Sequence, residues 1–234
     1  MPRESLRSLL LLALSLSVSS CAGPETPRVT APDRPLPPSV AAAGRLRVVF
    51  LGDSLTAGHA LDRSQAFPAL VQQRIDAASL PFEAVNAGVS GDTTADGLRR
   101  LEWALAKGAD LVVLELGAND GIPGLDLIAA RKNMAEIIHR VQSRGTPVLL
   151  LGMKLPPNYG PDYTERFGRV FPSLAAEFGL QLVPFLMEGV GGHPDLLLPD
   201  GIHPNANGQQ RMAETVWKTL EPVLRRMAAR IAAP

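Results

Sequence analysis

Residues 46–58, LRVVFLGDSLTAG, decide the fold. A short apolar run rich in β-branched residues ends at Gly52. It is followed directly by Asp53 and Ser54, and the chain then turns small and polar. An apolar run with no polar alternation is a strand buried on both faces, which belongs in a parallel sheet. The serine at its end has two readings. It caps a strand-to-helix turn, or it is a nucleophile presented at the lip of the sheet.

The pattern repeats outward from this stretch. Further apolar strands are predicted at 82–88 (FEAVNAG), 110–117 (DLVVLELG), 146–152 (TPVLLLG) and 180–185 (LQLVPF). Helical spacing of apolar residues marks 66–78, 93–108, 125–145, 162–179 and 206–230, with disturbance expected at Pro172 and a bend near Pro222. Alternating βα units predict a doubly wound three-layer α/β/α fold on a five-stranded parallel sheet. In such sheets ligands bind beyond the carboxyl ends of the strands.

The chain has 234 residues, 46% hydrophobic and 20% charged, enough for one ordinary domain with a full core and a tail. Lys plus Arg and Asp plus Glu both total 23, which argues against a nucleic-acid partner. At 5%, the aromatics are too few for a base-stacking platform or a rich sugar groove.

The first twenty residues read as a leader. Arg3 and Arg7 precede a ten-residue leucine-rich stretch, Leu9 to Val18, followed by Ser19 and Ser20. That stretch is short for a bilayer span. Cys21 is the single cysteine and stands where a lipoprotein leader would be cleaved and acylated, so no internal disulfide is possible. The expectation is export to the periplasmic side of a bacterial membrane, as a lipid-anchored or soluble periplasmic protein. Residues 21–44 carry six prolines without periodicity and read as a tether to a domain at 45–230.

The strand ends carry the chemistry. Gly52-Asp53-Ser54 follows the first strand, and Asn86 to Asp92, with Gly88 and Gly91, closes the second. Gly117 to Gly121, with Asn119, follows the third, and Asp200-Gly201-Ile202-His203 lies beyond the fifth. Together they supply a nucleophile, oxyanion donors, a base and an orienting acid, the inventory of a serine hydrolase. Ser54 would attack. Gly91 offers an N–H that a substrate oxygen can reach, and Asn119 offers amide N–H groups. His203 would take the serine proton, and Asp200 would hold the imidazole tautomer.

Each segment alone has a plainer reading as a cap, turn or surface loop. The other histidines are weaker bases: His59 is too near Ser54 in sequence, His139 lies within a helix, and His193 is the only rival. A metal set of His193, Asp195, Asp200 and His203 is conceivable but fits no compact ligand spacing. The G-x-S-x-G signature of the α/β-hydrolases is absent around Ser54.

GDSLTAG (52–58), NAGVSGDTT (86–94), ELGAND (115–120) and LPDGIHPNANG (198–208) resemble, in order, the four blocks of the GDSL esterases, or SGNH hydrolases. The similarity is strongest to the bacterial thioesterase I, lysophospholipase and arylesterase subgroup, and MKLPPNYGPDYTERF (153–167) extends it. The resemblance implies a flavodoxin-like SGNH fold and a catalytic Ser54, Asp200 and His203. It also implies an oxyanion hole of the Ser54 N–H, Gly91 N–H and Asn119 amide, and no metal or organic cofactor. Substrates would be acyl or aryl esters, with thioesters and lysophospholipids as further candidates. Loops 121–126, 153–163 and 186–199 would shape the acyl pocket, with Leu155, Pro156, Leu196, Leu197 and Leu198 as its apolar wall. No obligate protein partner is implied. Two other readings stay open: a carbohydrate O-deacetylase of the same fold, and a non-catalytic ligand-binding lipoprotein.

Overall fold

The structure is a computed structural model that describes residues 44–232. The expected leader, Cys21 and all of the tether except Gly44 lie outside the described residues.

Five strands, β1 (Leu46–Gly52), β2 (Phe82–Gly88), β3 (Leu111–Glu115), β4 (Val148–Leu151) and β5 (Gln181–Val183), form one sheet in the order β2-β1-β3-β4-β5. Every pairing is parallel. The central strands β3 and β4 are buried along their whole length, as their unbroken Val and Leu runs require, and β1 is buried at all but Arg47. The edge strands β2 and β5 are only partly covered, and their polar residues Glu83 and Gln181 face solvent.

Eight α-helices accompany the strands among the described residues. They are α1 (Ser54–Ala57), α2 (Phe67–Ala77), α3 (Thr94–Arg99), α4 (Leu101–Ala104), α5 (Ala118–Gly121), α6 (Leu127–Gln142), α7 (Pro161–Phe178) and α8 (Ala206–Ala232). Helices α2 and α8 pack together, and α3, α6 and α7 form a second packed set. The helices bury their apolar stripes, such as Val71 and Ile75 of α2 and Met134, Ile137, Ile138 and Val141 of α6.

Two helix expectations are corrected. Residues 93–108 form two short helices, broken at Arg100, whose backbone (φ −96°, ψ 5°) leaves the helical region. The Arg100 side chain is drawn instead to Asp92 and to the carbonyls of Ala87 and Gly52. Conversely, α7 runs through Pro172 without interruption, its buried face of Phe167, Phe171 and Leu174 holding it across the missing N–H.

The strand order reverses between β1 and β3. Strand β1 connects outward to β2, and the chain then returns to place β3 on its other side. The crevice at this switch point lies between the loop that carries Ser54 and the loop that carries Asn119.

Candidate active site

Ser54 opens the single turn α1, capped by Asp53, whose Oδ1 accepts the Leu55 N–H at 2.9 Å. Space at this corner is minimal. A Cβ at Gly52 would lie 2.1 Å from Thr56 Oγ1 and 2.6 Å from Glu115 Oε2. The Ser54 hydroxyl lies 3.0 Å from Nε2 of His203, a residue 149 positions later. The other ring nitrogen, Nδ1, lies 2.7 Å from Asp200 Oδ2. Asp200 Oδ1 also accepts the backbone N–H groups of Ile202 and His203, each at 2.9 Å. These donors, with the imidazole, draw the Asp200 carboxyl down to a pKa of about 2. An ionised Asp200 on Nδ1 leaves the Nε2 lone pair facing the serine.

The loop that carries His203 is closed on itself by local contacts. Leu197 bridges Pro204, the Leu198 N–H donates to the His203 carbonyl at 2.7 Å, and the Asn205 amide donates to the Asp195 carbonyl at 2.8 Å. The buried amide of Gln209 then joins α8 to the Ser54 turn and the start of α2. It accepts the Phe67 N–H at 2.8 Å and donates to the Leu55 carbonyl at 3.3 Å.

Gly91 has φ +88°, a conformation that favours glycine. Neither its N–H nor that of Ser54 donates to another group among the described residues. The Asn119 amide donates to the Asp92 carbonyl at 2.9 Å and, over a long 3.3 Å, to Asp53 Oδ2. Its neighbour Asp120 is buried and accepts the Thr94 N–H and hydroxyl at 2.8 and 2.7 Å, tying this turn to α3.

Sequence reasoning passed over four residues that the fold brings here. His59 stacks on His203, with ring centroids 4.2 Å apart and planes inclined by 31°. Arg100 pairs with Asp92 while holding the carbonyls that end β1 and β2. Glu115 is buried beneath the Ser54 turn, and Gln209 joins the two halves. Glu115 carried a legible signal, as the one charged residue inside the apolar run LVVLEL.

The alternative metal set is also corrected. Among the described residues, the group whose donor atoms converge within 4.8 Å is His59, Asp200 and His203, without His193 or Asp195. It is poorly disposed for a cation. Imidazole lone pairs lie in the ring plane, so the stacked rings keep theirs in separate, similarly inclined planes, and both nitrogens of His203 already face Asp200 and Ser54.

A surface groove of about 470 Å³ beside Asp200 is lined by Gly192, Pro194, Leu197, Leu198, Pro199 and Gly201. It takes in Leu197 and Leu198 of the expected apolar wall but not Leu155, Pro156 or Leu196.

Residues 50–211 match the model of the GDSL-like lipase/acylhydrolase family. This chain belongs to that family. It is 47% identical to esterase TesA of Pseudomonas aeruginosa over 79% of this chain and 91% of that one. It is 38% identical to thioesterase 1/protease 1/lysophospholipase L1 of Escherichia coli K12, over 78% of this chain and 87% of that one. A crystal structure of the psychrotrophic esterase EstA from Pseudoalteromonas sp., inhibited by monoethylphosphonate, superposes with a TM-score of 0.73 at 29% identity, covering 76% of this chain and 98% of that one. The chain is an acylhydrolase with the α/β architecture of the SGNH esterases.

Proposed function

We propose that this acylhydrolase cleaves acyl and aryl esters, and also thioesters and lysophospholipids, through an acyl-Ser54 intermediate. The observation that carries the reading is the continuous relay from Ser54 Oγ to His203 Nε2 at 3.0 Å and from His203 Nδ1 to Asp200 at 2.7 Å. Ser54 Oγ attacks the ester carbonyl as His203 takes its proton. Negative charge on the former carbonyl oxygen is received by the Ser54 and Gly91 N–H groups and the Asn119 amide. Collapse expels the alcohol or thiol, which takes the proton from His203. Water, activated by the same imidazole, then releases the acid and restores Ser54. The groove at Leu197 and Leu198 is offered as the acyl-chain wall.

The test is hydrolysis of p-nitrophenyl esters of increasing acyl length. Ser54→Ala lowers kcat by about 10⁴–10⁶-fold, and Asn119→Ala by about 10²–10³-fold with the fold intact. A fluorophosphonate labels the wild type at Ser54 and spares the variant. Unchanged turnover in Ser54→Ala rejects the reading.

The leader motif supports export and lipid attachment at Cys21. Mass analysis of the mature protein extracted from membranes would carry the added mass of acyl chains on Cys21. An unmodified, released chain rejects this part.

A further inference from the structure

Two carboxyl groups lie under Ser54 with no basic side chain paired to either among the described residues. Asp53 is fully buried and Glu115 is 1% exposed. The Glu115 carboxyl lies against the Asp53 backbone, near enough for its charge to act on the Asp53 carboxyl. Glu115 Oε2 accepts the Asp53 N–H at 3.2 Å and the Thr56 hydroxyl at 2.8 Å, while its buried Oε1 has no partner among the described residues. Asp53 Oδ1 accepts the Leu55 N–H, and Oδ2 faces the Asn119 amide at 3.3 Å. The other charges facing the pair are Asp92, from the loop after β2, and Arg100, from the α3–α4 junction. Arg100 is committed to Asp92 and to two carbonyls.

Two carboxylates buried this near to one another cannot both be ionised, because neither has a counter-charge among the described residues and each opposes the other. We propose that Asp53 and Glu115 hold one proton between them, carried on Asp53, and that Glu115 is thereby a positioning residue for the Asn119 amide. This rests on the proposed role of Asn119 at the oxyanion. Burial, and for Asp53 also the charge of Glu115, push both carboxyls above their ordinary range.

The consequence lies in the 3.3 Å contact between Asp53 and Asn119. A neutral carboxyl is a weak acceptor, and a long hydrogen bond is what it makes; a carboxylate would draw the amide closer. The Asn119 N–H therefore turns from Asp53 to the developing oxyanion at small cost. An ionised Asp53 would retain the amide and set its own charge against the oxyanion. The negative charge rests instead on Glu115, one residue layer deeper, held by Thr56 and the Asp53 N–H.

The test compares Glu115→Gln, Asp53→Asn and the double variant in the full chain, with p-nitrophenyl butyrate as substrate. Glutamine keeps an acceptor for Thr56 but donates to Asp53. Asp53 then gathers three N–H donors and ionises. Glu115→Gln therefore lowers kcat by about 10-fold or more, with KM within about twofold. The amide introduced by Asp53→Asn can donate to Glu115 as the protonated acid does, so this variant retains several times the kcat of Glu115→Gln. The double variant, with no carboxylate left, recovers most of the loss. Unchanged kcat in Glu115→Gln, or no recovery in a folded double variant, overturns the proposal. Infrared spectroscopy provides a readout independent of activity and of variant folding. Wild type at pH 7 shows a protonated-carboxyl stretching band that is lost in Asp53→Asn, and its absence from wild type also overturns the proposal. Activity surviving in Ser54→Ala would reject the nucleophile instead and would leave the infrared result standing.

Discussion

The imidazole of His59 lies over that of His203, ring against ring at 4.2 Å between centroids. In the proposed mechanism His203 must keep its plane as it takes and returns a proton, and its own ring is only partly buried. The exposed His59 supplies the missing wall. Aromatic contacts of this kind contribute about 0.5–1.5 kcal/mol. His59→Ala should therefore lower kcat/KM by about 3–10-fold, and His59→Phe, which keeps a flat ring, should recover most of that loss. Steady-state ester hydrolysis measures both, and an alanine variant as active as wild type would remove His59 from the site.

Asp200 stays ionised down to about pH 2, so it takes no part in the acid limb of activity above that value. As pH falls, Asp200 should add no proton uptake to any decline of kcat/KM above about pH 2. Asp200→Asn should reduce kcat by about 10³–10⁴-fold across the range, because the imidazole loses its enforced tautomer. A limb of slope two in wild type would show that a second group of the relay titrates there.

Arg100 and Asp92 form a mostly buried ion pair, with side chains 15% and 11% exposed. Removing the cation alone leaves the Asp92 charge and two carbonyls without their partner. Arg100→Met should cost about 3–5 kcal/mol in urea unfolding. Asp92→Asn combined with Arg100→Met should cost less than Arg100→Met alone. Equal losses in the single and double variants would show that the pair contributes through packing only.

The buried carboxyl pair also fixes a sign for stability against pH. Unfolded, Asp53 and Glu115 titrate near about 4. Folded, both lie higher. From about pH 4 up to the raised values the folded chain binds more protons than the unfolded one, so the pair's contribution to stability falls as pH rises. Glu115→Gln should flatten that decline, read as urea midpoints between about pH 4 and about pH 8. Parallel curves for wild type and variant would sink the assignment.

The sheet was legible because its strands need no partner to be recognised: VVFL, LVVL and VLLL are apolar through and through, and each ends in a polar or glycine-bearing turn. Ser54, Gly91, Asn119, Asp200 and His203 were legible because a parallel sheet gathers its strand ends on one side. The supports were not. His59 meets His203 only after the Asp200 loop folds back over α1, a meeting that no local pattern encodes. Arg100 sits in a helical pattern and breaks it for the sake of three acceptors brought from β1, β2 and the Gly91 loop. Gln209 reads as an ordinary polar residue of α8, yet it is 1% exposed.

That last residue bears on how the enzyme would respond to its surroundings. Ser54 and His203 come from opposite ends of the domain sequence, and the buried stitch between their supporting elements is a neutral amide that accepts from Phe67 and donates to Leu55. A carboxamide has no proton to lose in the range where proteins fold, and no ion cloud can screen it. This stitch is thus insensitive to ionic strength and acidity, which are left to act on the charged groups around it.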